Sequence, residues 1–173
     1  MSWTDSIPNR MRDLDRDERR KVPIPVMNVN PAGEVNFMVV SNERVIQCGE
    51  VGLCGICGNP LDYWIAFVGG PVSAMNGAYT DPPFHVECAE AAMLFCPHLN
   101  RKVHRRAPDE KMPEGSWKSE GAVEEKPAQW IIGLTRNYKM LPWGKGVLFK
   151  CNVKHRRVYE YDEQGHLRKV AND

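Results

Sequence analysis

Two short stretches constrain this chain more than anything else in it: Cys54-Gly-Ile-Cys57-Gly-Asn-Pro60 and, later, His85-Val-Glu-Cys88. A C-x-x-C turn followed by glycine folds back tightly enough to offer two thiolates to one ion, and Gly58 supplies a backbone conformation that a β-carbon would resist. The second pair follows Thr80-Asp-Pro-Pro83 and opens the apolar run of residues 89–95, which is how a helix begins. His85 and Cys88 should therefore share one side of its first turn. A turn giving two ligands and a helix start giving two more is the arrangement of a treble clef. Cys54, Cys57, His85 and Cys88 are the expected ligands of a structural Zn2+.

Length and charge bound the rest. A chain of 173 residues with 42% hydrophobic side chains holds one modest domain, or a small metal-stapled one with an added lobe. The formal charge of +1 gives no global field, so a case for nucleic acid must rest on local patches. No apolar run is long enough to span a bilayer, and Met1-Ser-Trp-Thr-Asp-Ser6 has neither the basic start nor the apolar core of an export signal. The expected location is the cytoplasm, or the host cytoplasm if the chain is phage-encoded. In a reducing compartment the six cysteines favour metal binding over disulfides.

Taken in order, residues 1–21 form a mixed-charge N-terminal arm with few apolar positions, expected to be peripheral. Residues 22–98 form the zinc-binding module. It opens with a β-hairpin, two β-rich runs around Asn30-Pro-Ala-Gly33, the prolines confining the first run to an edge. Residues 42–48 are a short link, helix or strand, in which Cys48 reads as a small buried apolar residue. Tyr63-Trp-Ile-Ala-Phe-Val68 reads as a buried strand ended by Gly69-Gly70, and residues 71–79 as a loop. A helix over about residues 83–95 follows, stopped by Pro97. Residues 99–127 combine a basic cluster with a flexible linker, and residues 128–173 carry three or four short antiparallel strands. The fold class is α+β, a small treble-clef-like zinc module with a flanking β-hairpin and C-terminal antiparallel strands. Whether Cys48, Cys96 or His98 also touches the metal is open at this level.

Cys54-x-x-Cys57-Gly-x-Pro-Leu61, Phe67-Val-Gly-Gly-Pro71, Gly77-Ala-Tyr-x-Asp-Pro-Pro-Phe-His85-x-x-Cys88-Ala89 and Cys96-Pro97 together resemble a family of short uncharacterised bacterial and phage proteins. Arg16-Asp-Glu-Arg-Arg-Lys-Val-Pro-Ile-Pro25 and Trp130-Ile-Ile-Gly-Leu-Thr-Arg-x-Tyr138 resemble it too, so the likeness covers most of the chain. It implies a metal-binding module and supplies no reaction.

A catalytic zinc needs an open position for water, and four protein ligands leave none. His85-Val-Glu87 reproduces the H-x-E of zinc deaminases, but there it precedes the P-C-x-x-C, whereas here it comes last and Cys88 competes for the ion. Glu87 reads instead as a first-turn acid favoured by the helix dipole. An HNH-like metal-dependent nuclease is the enzymatic alternative, with Asp81, His98, Asn100 and His104 as its candidates, although their spacing departs from that pattern.

For binding, Arg101, Lys102, Arg105 and Arg106 cluster after the helix. The segment from Arg136 to Lys169 has nine Lys/Arg against three acids, interleaved with Tyr138, Trp143, Phe149, Tyr159 and Tyr161. That mixture suits phosphate neutralisation and base stacking, with Lys150, Arg156 and Arg157 as further contacts. Alternating basic and aromatic residues also fit ordinary strands with charge outward and rings inward. The reading is a non-enzymatic zinc-stabilised binding module with nucleic acid as the favoured ligand. The alternative is a protein-interaction module, as in a phage protein acting on a host factor. No membrane and no small-molecule substrate is implied.

Overall fold

The computed structural model describes residues 7–37, 39–96, 99 and 126–173. Among them lie three helices, α1 (Asn42–Val51), α2 (Pro71–Asn76) and α3 (Val86–Phe95). The strands are β1 (Ile65–Gly69), β2 (Ala78–Tyr79), β3 (Phe84–His85), β4 (Gln129–Thr135), β5 (Tyr138–Trp143), β6 (Gly146–Cys151), β7 (His155–Tyr161) and β8 (Leu167–Asn172). They form a five-stranded antiparallel sheet in the order β3-β1-β4-β7-β8 and a three-stranded one in the order β2-β6-β5. The fold is α+β.

Strand β1 is the axis of this arrangement. Every residue from Ile65 to Gly69 is buried, and successive side chains go to opposite cores. Ala66 and Val68 join Ile132 and Leu134 of β4 against Ala89, Ala92 and Met93 of α3. Ile65 and Phe67 join Val45 of α1, Tyr79 and Phe149 on the other side. There Phe67 stacks on Tyr79 with centroids 5.2 Å apart and meets Phe149 at 5.6 Å. The large sheet is thus sandwiched between α3 and the small sheet, which explains why β1 reads as an unbroken apolar run.

Several expectations are corrected. The anticipated hairpin over residues 22–40 is present in a shortened form: Val26–Asn28 form a 3₁₀ turn, and the antiparallel Val29–Val35 bridge, flanked by the Asn36 amide donating to the Asn28 carbonyl at 2.9 Å and the Asn30 amide to the Glu34 carbonyl at 3.0 Å, closes around the Asn30–Gly33 reversal. Pro23 and Pro25 lack the N–H groups a ladder needs, and the neighbouring amides are spent elsewhere, Val26 and Met27 donating to the carbonyls of Ile56 and Gly55 at 3.0 and 2.9 Å. The undecided link before the cysteines is a helix, capped by the Ser41 hydroxyl accepting from the Arg44 amide and closed by Gly52 at φ 81°. Residues 71–79 are not loop alone but α2, with Pro71 in its first turn, followed by β2. The helix expected from about residue 83 begins at Val86, because Phe84 and His85 are drawn out to pair with Ala66 and Ile65.

The N-terminal segment is docked rather than peripheral from Ile7 onward. Met11 is 0% exposed, and both it and Ile7 enter the core that holds Cys54, Cys88 and α3. The C-terminal part contributes five strands, not three or four, and they are shared out: β4 pairs with β1 over five residues while β6 pairs with β2. Replacing Phe149, which has no exposed surface, by alanine should cost about 3–5 kcal/mol in urea denaturation with an unchanged slope. A chain truncated after Pro127 should lose the fold of residues 7–96 as well; a stable, cooperatively folded truncation would show that the β4 pairing is dispensable.

Candidate metal centre

Each ligand is placed by local chain chemistry. Around Cys54 and Cys57 the backbone closes a tight knuckle, with the Gly58 amide donating to the Cys54 carbonyl at 2.8 Å and the Cys54 amide to Asn59 at 2.9 Å. Gly58 holds φ 77°, a conformation side chains with a β-carbon resist. A β-carbon at Gly55 would stand 2.4 Å from Pro82 Cγ, so this glycine lets the knuckle lie directly on the Pro82-Pro83 lead-in to the second pair. The Gly55 amide fastens that contact by donating to the Pro83 carbonyl at 2.9 Å. His85 is the N-cap of α3 and Cys88 lies in its first turn, as the spacing predicts.

The four ligand atoms, Cys54 Sγ, Cys57 Sγ, His85 Nδ1 or Nε2 and Cys88 Sγ, all lie within 4.8 Å of one another, and the residues are 0, 8, 1 and 0% exposed in that order. His85 Nδ1 is 3.2 Å from Cys57 Sγ and 3.8 Å from Cys88 Sγ. Donors around one tetrahedral ion, at about 2.3 Å for sulfur and about 2.0 Å for nitrogen, stand roughly 3.5–3.8 Å apart, so the spacing fits a single ion. His85 Nε2 faces the Pro60 carbonyl at 2.8 Å and donates to it, which leaves Nδ1 to turn its lone pair toward the sulfurs. The His85 amide donates to Cys54 Sγ at 3.4 Å. Among the described residues this is the one group of three or more His, Cys, Asp or Glu placed to hold a metal ion.

The protons in this cluster compete. Hydrogen bonds from Cys54 and Cys88 hold Cys57 far below the usual thiol range, and hydrogen bonding to Cys54 and Cys57 together with burial pushes Cys88 far above it. Burial works against the His85 imidazolium, yet bonding to Cys54 and Cys57 and to the Pro60 carbonyl outweighs it and pushes His85 up to about 10. Packed sulfurs this close do not all ionise unless a cation compensates them. Cys48, by contrast, is buried outside the group, its thiol pushed up to about 11 by burial, which makes it an inert apolar residue.

Arg10, which sequence reasoning missed, closes this side of the molecule. Its guanidinium pairs with Asp62 at 3.1 Å and with Glu87 at 2.5 Å, beside an open polar cleft lined also by Asn9 and Asn59. Glu87 is thus engaged by Arg10 in the first turn of α3, the position of a dipole-favoured acid. An isolated arginine in a charged run carries no sequence signal for such a role.

The other candidates scatter. Arg101, Lys102, Arg105 and Arg106, and the nuclease candidates His98, Asn100 and His104, lie outside the described residues; Asp81 sits in the turn between β2 and β3. Lys150 donates to the Asn76 carbonyl, Arg156 pairs with Asp173 at 3.6 Å, and Arg157 pairs with Glu90. Of the five rings interleaved with cations, Phe149 and Tyr159 are buried in the two cores and Tyr138 packs against Phe67 and Phe149. Tyr161 accepts from Trp130 Nε1 at 2.7 Å and donates to the Leu99 carbonyl at 2.9 Å. Only Trp143 among them is exposed. No helix among the described residues is long and apolar enough to cross a membrane. Comparison with protein-family models, curated proteins and solved structures finds no match to this chain.

Cys57→Ser and Cys88→Ser should each abolish bound metal in elemental analysis and lower thermal stability, whereas Cys48→Ser should keep the metal. Coordination needs three thiolates and a neutral Nδ1, so protons compete with the ion and affinity should fall as pH falls. A chelator titration at roughly pH 5.5 should strip the protein far more readily than one at roughly pH 7.5.

Proposed function

We propose that this chain is a non-enzymatic binding module stapled by one structural Zn2+ on Cys54, Cys57, His85 and Cys88, with nucleic acid as its ligand. The single observation that carries the structural role is the burial of all four ligand atoms in one cluster of ligating size. Three sulfurs and one imidazole are the donor set of closed zinc sites, and thiolate donation weakens the ion as a Lewis acid. A fourth protein ligand takes the position that hydrolytic water would need. When bound, the ion supplies a cross-link between the knuckle and α3; the chain's own residues orient His85 through Pro60 and keep solvent away. Six free cysteines go with a reducing cytosolic setting.

The nucleic-acid part is supported by charge segregation. From Lys126 to Tyr159 the chain has eight Lys/Arg and no Asp or Glu; in the fold Arg156 and Arg157 pair with Asp173 and Glu90, so the excess rests on the other six. Lys139 and Lys150 stand directly opposite each other on β5 and β6, both exposed. The Lys150 ammonium donates to the Asn76 carbonyl, and a phosphate backbone would relieve the like-charge repulsion that remains across the pair.

The zinc-loaded protein should retard DNA or RNA in a native gel, with affinity falling roughly twentyfold for a single strand, or roughly fortyfold for duplex DNA, between about 50 and 200 mM salt if three phosphates are contacted. The nucleic acid should stay intact on addition of magnesium or manganese. Cleavage lost on changing His98 or His104 would replace this reading with the nuclease, and capture of a host protein with no retardation would replace it with a protein-interaction module.

A further inference from the structure

We infer that the corner where β4 passes into β5 and β6 into β7 is a stacking site for single-stranded nucleic acid, with Tyr63 as its platform. This rests on the nucleic-acid reading above and assigns it an address that the interleaved rings of the C-terminal strands do not provide.

The corner is built rigidly from within. Thr135, 1% exposed, ends β4 with its hydroxyl 3.0 Å from the carbonyls of both Asn137 and Asn152, so a single buried group serves both connections. The Lys154 amide donates to the Leu134 carbonyl at 2.7 Å and holds the second connection against the sheet. Residues 61–64, leaving the metal knuckle to enter β1, reach the same corner because Ile65 pairs with Thr135 and Leu134 pairs with His155.

On this base four planar groups converge. The Arg136 guanidinium lies over the Tyr63 ring at 3.0 Å from its centroid and 5.7 Å from that of Trp64. Trp64 meets Tyr63 edge-on at 5.6 Å and His155 edge-on at 5.3 Å. Trp64 is anchored against the core while Tyr63 stays 63% exposed, and Arg136 and His155 are exposed as well. With the guanidinium covering one face of the Tyr63 ring and Trp64 meeting it edge-on, the group has little conformational freedom left to lose on binding, and bases would stack on the outer plane of the guanidinium and the open face of the ring. Ring area and guanidinium plane are the surfaces on which unpaired bases stack, whatever their identity.

The surrounding charge matches a strand of phosphates. Arg136, Lys139 and Lys154 belong to β5 and the two connections, where the chain has no acid, while the Lys150 ammonium is turned to the Asn76 carbonyl. Asp62, beside Tyr63 in the chain, is engaged by Arg10 at 3.1 Å. In a duplex the base faces are already stacked and paired, so a platform of this kind selects the unpaired strand.

The test uses the full-length, zinc-loaded chain with fluorescein-labelled oligo(dT) and oligo(U) of about twelve nucleotides, followed by anisotropy. Single strands should bind more tightly than a duplex of equal length. Tyr63→Ala and Arg136→Ala should each weaken binding by roughly 5- to 100-fold, with zinc content and circular dichroism unchanged, and Tyr63→Phe should restore the affinity. Wild-type affinity in both alanine variants would overturn this site while leaving nucleic-acid binding in place. Preference for duplex would overturn the single-strand assignment. Equal displacement of the oligonucleotide by poly-glutamate would overturn base stacking in favour of an acidic protein partner. Failure of the unmodified protein to bind any nucleic acid would overturn both the site and the reading beneath it.

Discussion

Three thiols and an imidazole forced into one buried volume are the constraint on which the rest of this structure depends. The knuckle and the start of α3 are far apart in sequence, Cys57 and His85 being separated by 28 positions, so closing that loop has an entropic cost that packing must offset. In a small domain that offset is limited, and a metal cross-link supplies free energy that the apolar surface does not. The local chemistry is prepared for it: Gly58 and Gly55 let the knuckle turn and lie flat on Pro82, and Pro60 fixes the ring of His85.

From this centre the layers follow. His85 is at once a member of the candidate metal group, the N-cap of α3 and a strand residue paired with Ile65, so that group, the helix and the large sheet share one residue. β1 carries that registration into both cores, Ala66 and Val68 to one side and Ile65 and Phe67 to the other. Residues 61–64 run from the knuckle, where the Leu61 amide donates to the Gly52 carbonyl, into β1, where Ile65 pairs with Thr135. The functional surface inferred there rests on the same segment that leaves the metal group.

The grouping of Cys54, Cys57, His85 and Cys88 was legible in the sequence because tetrahedral coordination permits few spacings, and β1 because a strand buried on both faces has no polar alternation to hide it. What was hidden depended on tertiary contacts. Ile7 and Met11 are two apolar residues in or beside a charged run, and only packing in one cluster with α3 makes them core. α2 spans six small or medium residues between Gly70 and Gly77, too short for periodicity to appear. The hairpin of residues 22–40 is shorter than the pattern suggests because β propensity and a Pro/Gly turn say nothing of where the amides will donate, and those of Val26 and Met27 are claimed by the knuckle. Among the basic and aromatic residues, alternation placed Phe149 and Tyr159 inward as an ordinary strand would. Tyr63, Arg136 and His155, exposed around the half-buried Trp64, come from three separate segments and leave no linear pattern.

X-ray absorption at the metal edge of the purified protein reads the central claim most directly. The account predicts zinc with three sulfurs at about 2.3 Å and one nitrogen at about 2.0–2.1 Å, and no oxygen in the first sphere. A coordinated water or carboxylate oxygen, or fewer than three sulfurs, would contradict a closed structural site and return the ion to chemistry.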